Sequence, residues 1–244
     1  MTVTIRFLGT GNAFADGGRS HACYHLEAPG TSLLLDCGGS SLPAIKRAVD
    51  PRAIQAIAIT HLHGDHFGGI PYFVMDQHFG GRTAPLTIGG PRELRDRATR
   101  AGAALYADFF GAVTIGYEVS YVTLGETPAT LGRAEVTAHP VRHVAASDPH
   151  GLRVRVDGKV IAYSGDARWS DELVALAKGA DLFICEATNY STSDPAHLCY
   201  TELIANRAQL DCERMILTHL GAQTQAHLAE LELETAHDGM VVTL

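Results

Sequence analysis

The sequence predicts an α/β fold in which two β-sheets pack face to face and carry helices on their outer sides. Three observations lead there. Short apolar runs alternate with helix-spaced segments, and the alternation repeats in a second half that meets the first near residues 120–140. Some runs, such as Leu33-Leu34-Leu35, are apolar at consecutive positions, as a strand buried on both faces requires. The chain has 244 residues, 46% of them hydrophobic, which suffices for a full core in a single domain spanning 1–244. No linker, low-complexity tract or strict repeat divides it.

Val3–Leu8 reads as a strand ended by the turn Gly9-Thr10-Gly11-Asn12. Pro29-Gly30 joins the strands His21–Ala28 and Thr31–Asp36 as a hairpin. After Gly38-Gly39, Ser41–Val49 has helical spacing. Ile54–Thr60 is the next strand, and Phe67–Phe79 the next helix, with Ile70, Phe73, Val74 and Gln77 on one face. Leu86–Gly89 is a strand, and Pro91 opens a helix to about Ala104. Strands follow at Val119–Leu124 and Ala134–His139. Leu152–Val156 and Val160–Tyr163 flank the tight turn Asp157-Gly158. The helix Asp171–Lys178 is closed by Gly179. Leu182–Cys185 is a strand, His197–Gln209 a helix, Met215–Thr218 a strand, Gln223–Leu233 a helix and Met240–Thr243 the last strand.

The formal net charge is −8, and the basic residues are scattered. The densest group, Arg92, Arg95, Arg97 and Arg100, has the spacing of one solvated helix face rather than of a nucleic-acid groove. Five cysteines, an odd number with no C-x-x-C pair, argue against a disulfide framework. No secretory signal is seen, and no apolar run approaches the roughly 18 residues that span a bilayer. The expectation is a cytoplasmic protein that engages no membrane.

Chemistry concentrates in His61-Leu62-His63-Gly64-Asp65-His66, directly after a buried strand, where α/β folds place their sites. Residues two apart in an extended segment point the same way, so His61 and His63 can share one ion. Gly64 lets the chain turn, and Asp65 and His66 can then face a second. Three further candidates sit just past other strands: His143, Asp166 in Ser164-Gly165-Asp166, and His219. Histidine and carboxylate donors suit zinc, and equally manganese or iron. Thr60, Thr218 and Ser164 are placed to support the ligands. His21, His25, His78, His139 and His150 are left unassigned as residues of the mouth, and Cys37 and Cys185 read as buried core thiols.

The motif H-x-H-x-D-H, followed by single His, Asp and His residues at strand ends, resembles the metallo-β-lactamase superfamily. That resemblance implies a four-layer αβ/βα sandwich with two divalent metal ions, zinc first. One ion would lie at His61, His63 and His143, the other at Asp65, His66 and His219, with Asp166 bridging them. Phe7-Leu8-Gly9-Thr10-Gly11, Asp36-Cys37-Gly38, Gly69-Ile70-Pro71 and Cys185-Glu186-Ala187-Thr188 are similar to ribonuclease Z and its phosphodiesterase relatives, with Cys185 where those carry a histidine. His197 falls where that group has a histidine on the scissile phosphate, and His237-Asp238-Gly239-Met240 resembles its final strand. Ribonuclease Z grips tRNA with a long arm between the positions that His143 and Asp166 fill. Here they lie only 23 positions apart, and two hairpin strands use nearly all of that stretch, so tRNA is not the expected partner.

The expected activity is therefore hydrolysis of a small phosphodiester by a metal-activated hydroxide. Asp65 would bind metal and orient the attacking water. His197 would stabilise phosphoryl charge or protonate the leaving oxygen, and Glu186 would fix its tautomer. Two alternatives stay open: an acyl hydrolase acting on a lactone, thioester or β-lactam, and a non-catalytic, metal-stabilised binding protein. A homodimer is also open, since relatives of that group often form one.

Overall fold

The computed structural model describes residues 2–244. The first sheet comprises β1 (Thr4–Gly9), β2 (Cys23–Ala28), β3 (Thr31–Leu35), β4 (Ala56–Ala58), β5 (Leu86–Gly90), β6 (Val119–Thr123) and the last strand β14 (Val241–Thr243). Its order is β14-β1-β2-β3-β4-β5-β6. The second sheet comprises β7 (Ala129–Leu131), β8 (Ala134–Pro140), β9 (His150–Val156), β10 (Lys159–Tyr163), β11 (Ala180–Glu186), β12 (Cys212–Thr218) and β13 (Glu234–Thr235), in the order β13-β12-β11-β10-β9-β8-β7. Each sheet is antiparallel on one side and parallel on the other. In the first, pairing turns parallel from β3 to β6. In the second, it turns parallel from β10 to β13.

The apolar strands divide their side chains between layers, because successive residues point to opposite faces. Leu33 and Leu35 enter the cluster between the sheets, and Leu34 enters the one on the first sheet's outer face. There it meets helices α1 (Ser41–Ala48) and α3 (Ile70–Phe79), the latter preceded by the single turn α2 (Gly64–Phe67), together with α4 (Leu94–Leu105). Leu182 and Ile184 face inward, while Phe183 and Cys185 pack outward under α6 (Asp171–Ala177) and α7 (Tyr200–Asn206). Three apolar clusters thus bind four layers into an αβ/βα sandwich. Each fully buried leucine contributes about 1.5–3 kcal/mol to that packing.

Several boundaries differ from the expected ones. The helix expected over Phe67–Phe79 is interrupted at Gly68 and Gly69. Gly69 passes against the carbonyls of Cys37 and Gly38, where a Cβ has no room. The helix expected from Pro91 begins only at Leu94, and a short helix, α5 (Ala107–Phe110), follows it. The helix expected from His197 starts at Tyr200, because Asp194 Oδ1 captures the backbone N–H groups of Ala196 (2.7 Å) and His197 (3.2 Å) and holds that stretch out of helical geometry. The helix expected over Gln223–Leu233 shrinks to α8 (Ala222–Ala226) and a 3-10 turn at Leu228–Glu230. Gln225 there donates to the carbonyls of Leu220 and Asp16, and Leu231 and Leu233 pack against the outer cluster on the way into β13. The short edge strands β7 and β13 lay below the sequence signal, and His21 forms an isolated bridge with Gly11 instead of opening β2. No helix of the described residues is long and apolar enough to cross a membrane.

Candidate metal centre

Five strand ends converge on one edge of the sandwich. His61 follows β4, His143 follows β8, Asp166 follows β10, Glu186 ends β11 and His219 follows β12. The segment Ser164-Gly165-Asp166 packs against Thr60: a Cβ at Gly165 would meet Thr60 Cβ and the His150 carbonyl oxygen, each at 2.9 Å, and its φ of +57° lies in the left-handed region that glycine favours.

 The glycine therefore lets the chain carry Asp166 into the cluster without a clash.

Seven side chains predicted as ligands meet at that edge in two sets. The donor atoms of His61, His63, His143 and Asp166 all lie within 4.8 Å of one another, as do those of Asp65, His66, Asp166 and His219. Asp166 belongs to both, its Oδ2 facing His61 Nε2 (3.7 Å) and its Oδ1 facing His66 Nε2 (3.1 Å) and His219 Nε2 (3.3 Å). Five of the seven residues are buried; His63 and His143 are half-buried as residues, although the His143 side chain is only 1% exposed.

The hydrogen bonds around the rings show which nitrogens are free to bind a cation. His143 Nδ1 donates to the Ala196 carbonyl (2.7 Å), and His66 Nδ1 donates to Asp36 Oδ2 (2.7 Å). The Thr60 hydroxyl gives its proton to Asp36 (2.9 Å to Oδ2), so it accepts from His61 Nδ1 (3.0 Å). The Thr188 hydroxyl likewise donates to Glu186 Oε2 and accepts from His219 Nδ1 (2.9 Å). In the neutral form of each of these four rings the proton sits on Nδ1, and the Nε2 lone pair points into the cluster. His63 presents Nδ1 instead, 3.1 Å from both His61 Nε2 and His143 Nε2. His66 Nε2 and Asp166 Oδ1 are buried with no hydrogen-bond partner despite their proximity. Convergent lone pairs and orphaned buried acceptors fit a pair of divalent cations, which would satisfy them.

Charge in the metal-free chain is divided accordingly. Burial alone would raise Asp65 and Asp166, but the surrounding histidines, His66 and His219 foremost, outweigh it and hold both carboxyls below their usual range. Burial alone would lower His66, yet Asp166, Asp65 and Asp36 draw a proton to it and raise it. His61 is pushed down by burial and by its neighbour His66.

Asp36 is the residue of this site whose role the sequence left unread. It is buried, holds a φ of +57°, and accepts from Thr60 N (2.8 Å), Tyr163 OH (2.8 Å) and His66 Nδ1. Its motif, Asp36-Cys37-Gly38, was the available signal. Asp36→Ala leaves these donors without an acceptor in a dry interior. It is expected to cost about 3–5 kcal/mol in urea unfolding and to weaken metal binding about 10–100-fold. Thr188 was similarly visible only as part of Cys185-Glu186-Ala187-Thr188. Of the three expected supports, Thr60 holds His61, Ser164 accepts from Glu186 N (3.0 Å), and Thr218 touches Tyr24 (2.8 Å) rather than a ligand. Cys37 and Cys185 are buried. Of the five unassigned histidines, His150 lines a cavity that also includes His143.

Beside the cluster, His197 Nδ1 donates to Glu186 Oε1 (3.0 Å). Glu186 is buried and also accepts from Ala167 N (2.7 Å) and Thr188 N (3.3 Å). Glu186, His197 and His219 could form a third metal-binding group, but these hydrogen bonds already satisfy the carboxylate, so it reads as a support for His197. Burial would lower His197, and the Glu186 carboxylate outweighs this and pushes it up to about 9. A cavity of about 260 Å3, lined by Asn12, Phe14, Asp194, His197 and His219, opens on this side. A second of about 550 Å3, lined by Arg142, His143, His150 and Arg168, opens on the other.

Known proteins resemble the chain over nearly its whole length. The family described as anti-Pycsar protein Apyc1 matches residues 3–238. The uncharacterized protein Rv1339 of Mycobacterium tuberculosis is 31% identical, over 99% of this chain and 89% of the relative. Ribonuclease Z of Methanothermobacter thermautotrophicus is 28% identical, over 98% of this chain and 92% of the relative. Among solved structures, the metallo-β-lactamase fold protein YhfI from Bacillus subtilis superposes with a TM-score of 0.79 at 20% identity, covering 100% of both chains. The short form of human tRNase Z gives 0.76 at 25% identity, covering 98% of both. The chain therefore belongs to the Apyc1 anti-Pycsar family, metallo-hydrolases of the metallo-β-lactamase fold related to ribonuclease Z.

Proposed function

We propose that this chain is a dinuclear metal-dependent phosphodiesterase acting on small phosphodiesters, cyclic ones included, and we extend to it the anti-Pycsar role in its family's description. The observation that carries this reading is the Glu186–His197 pair, set against the cluster in the wall of a cavity. Two divalent cations, zinc first and manganese or iron as alternatives, would supply charge to polarise a phosphoryl oxygen and lower the pKa of an attacking water.

The chain's own residues do the rest. His61, His63, His143 and Asp166 would hold one cation, and Asp65, His66, Asp166 and His219 the other. Asp65, with Oδ2 3.2 Å from His219 Nε2 and 3.3 Å from His66 Nε2, is placed to orient the attacking water as well. His197 keeps its proton on Nδ1 toward Glu186, so Nε2 is the nitrogen left for the substrate. A raised pKa keeps that ring protonated at neutral pH, ready to neutralise phosphoryl charge or to protonate the leaving oxygen. The cavities on either side offer room for the two arms of a diester.

Transfer RNA is not the substrate proposed, although ribonuclease Z is a relative. Between His143 and Asp166 the chain forms only a 3-10 turn and the hairpin β9–β10, and its net charge is −8. A cytoplasmic setting is supported by five free cysteines. The test is a substrate panel with metal-reconstituted protein: bis(p-nitrophenyl) phosphate beside a lactone and a thioester. Metal-dependent turnover of the diester well above the acyl substrates is expected. Turnover of the acyl compounds alone would overturn the phosphodiesterase reading.

A further inference from the structure

Asp238 lies outside the cluster, in the His237-Asp238-Gly239-Met240 motif to which the reaction assigns no role. Its carboxylate is fully engaged. Oδ1 accepts from the Thr10 backbone N–H (2.9 Å) and from the Thr10 hydroxyl (2.8 Å), and Oδ2 accepts from Ser20 N (2.7 Å). Charge-assisted bonds of this kind are the stronger ones. Thr10 and Ser20 are the two ends of one irregular segment, tied at its base by the bond from Gly11 N to the Ser20 carbonyl (2.8 Å). Arg19 braces the same point, its Nη1 donating to Thr10 Oγ1 (3.0 Å) and to the Ala236 carbonyl (2.6 Å).

Two parts of the candidate centre hang from this segment. The first is His219. Its backbone N–H donates to the carbonyl of the fully buried Thr10 (3.1 Å). Its φ is +56°, a conformation that a residue with a side chain keeps only where its surroundings impose it. The second is the cavity wall next to His219 and His197, where Asn12, Phe14 and Asp16 all come from the clamped segment.

We propose that Asp238 is a positioning residue, which clamps both ends of segment 10–20 and thereby fixes the backbone of His219 and the adjoining cavity wall. This rests on reading His219 as a metal ligand and that cavity as the substrate site. Asp238→Asn keeps the size of the side chain but offers one acceptor oxygen where two are used, so one end of the clamp comes loose. Thr10→Val keeps the backbone bond and loses only the hydroxyl.

The experiment measures zinc affinity by competition with a chromophoric chelator, and kcat and KM on bis(p-nitrophenyl) phosphate at saturating zinc. For Asp238→Asn the weaker of two zinc equivalents is expected to dissociate about tenfold more readily, with the other unchanged. KM should rise about tenfold while kcat moves less than about threefold, the signature of lost binding rather than lost chemistry. Thr10→Val should shift the same quantities by less, and it decides the matter if Asp238→Asn does not fold. Zinc affinities and KM at wild-type values, with only the melting temperature lowered, would overturn the proposal and make Asp238 a structural residue. Wild-type protein that binds zinc but turns over no diester would instead remove the phosphodiesterase reading, and the zinc measurement would still decide the clamp.

Discussion

His63→Ala is expected to lower kcat/KM on a phosphodiester by more than about a hundredfold, since even a residue that merely supports a ligand is worth about 10–100-fold to such a site. His63 Nδ1 stands 3.1 Å from the facing nitrogens of both His61 and His143, so its loss opens one side of that set. Bound metal should fall from two equivalents toward one, because the set of Asp65, His66, Asp166 and His219 is untouched. The fold should survive, since the half-buried His63 is not among the apolar cluster residues. Metal analysis beside steady-state kinetics checks both statements. Wild-type kinetics in a variant lacking His63 would remove this residue from the centre.

His197→Ala should retain both metal equivalents and lose about 10²–10⁴-fold in kcat on a diester with a poor leaving group, the range of a positioned general acid. The leaving group separates the two roles open to this ring. If His197 protonates the leaving oxygen, the loss shrinks with p-nitrophenolate, which leaves without a proton. If it neutralises phosphoryl charge, the loss is the same for both substrates. The pH profile carries a further sign. The ring sits near 9 because Glu186 overcomes the effect of burial, so wild-type activity should stay level through neutrality and fall as pH rises through about 9. Glu186→Gln removes the charge that raises the ring, and the alkaline fall should move to lower pH. An alkaline limb that stays in place would show that another group sets it.

The candidate ligands were legible in the sequence because they sit just after apolar strands, and the structure brings their donor atoms together at one edge. His61, His143, Asp166 and His219 could be found without knowing how the strands pair. The run Leu33-Leu34-Leu35 similarly announced a strand sandwiched between two apolar layers, and it fills both. What stayed hidden depends on contacts between distant residues. Asp36 reads as a strand-end carboxylate until the fold brings His66 and Tyr163 against it, 30 and 127 residues away in sequence. The stretch at His197 carries helical spacing, but Asp194 ties up its backbone N–H groups and delays the helix to Tyr200. Periodicity does not register such a local capture. Asp238 was visible as a motif, and its partners Thr10 and Ser20 lie at the opposite end of the chain.

A dinuclear centre is tested by a metal titration of the chelator-treated protein, with turnover of bis(p-nitrophenyl) phosphate followed against equivalents of zinc added. No turnover is expected without metal, and the rise should saturate at two equivalents per chain. Turnover in the metal-free protein, or saturation at a single equivalent, would contradict a dinuclear centre built from these seven side chains.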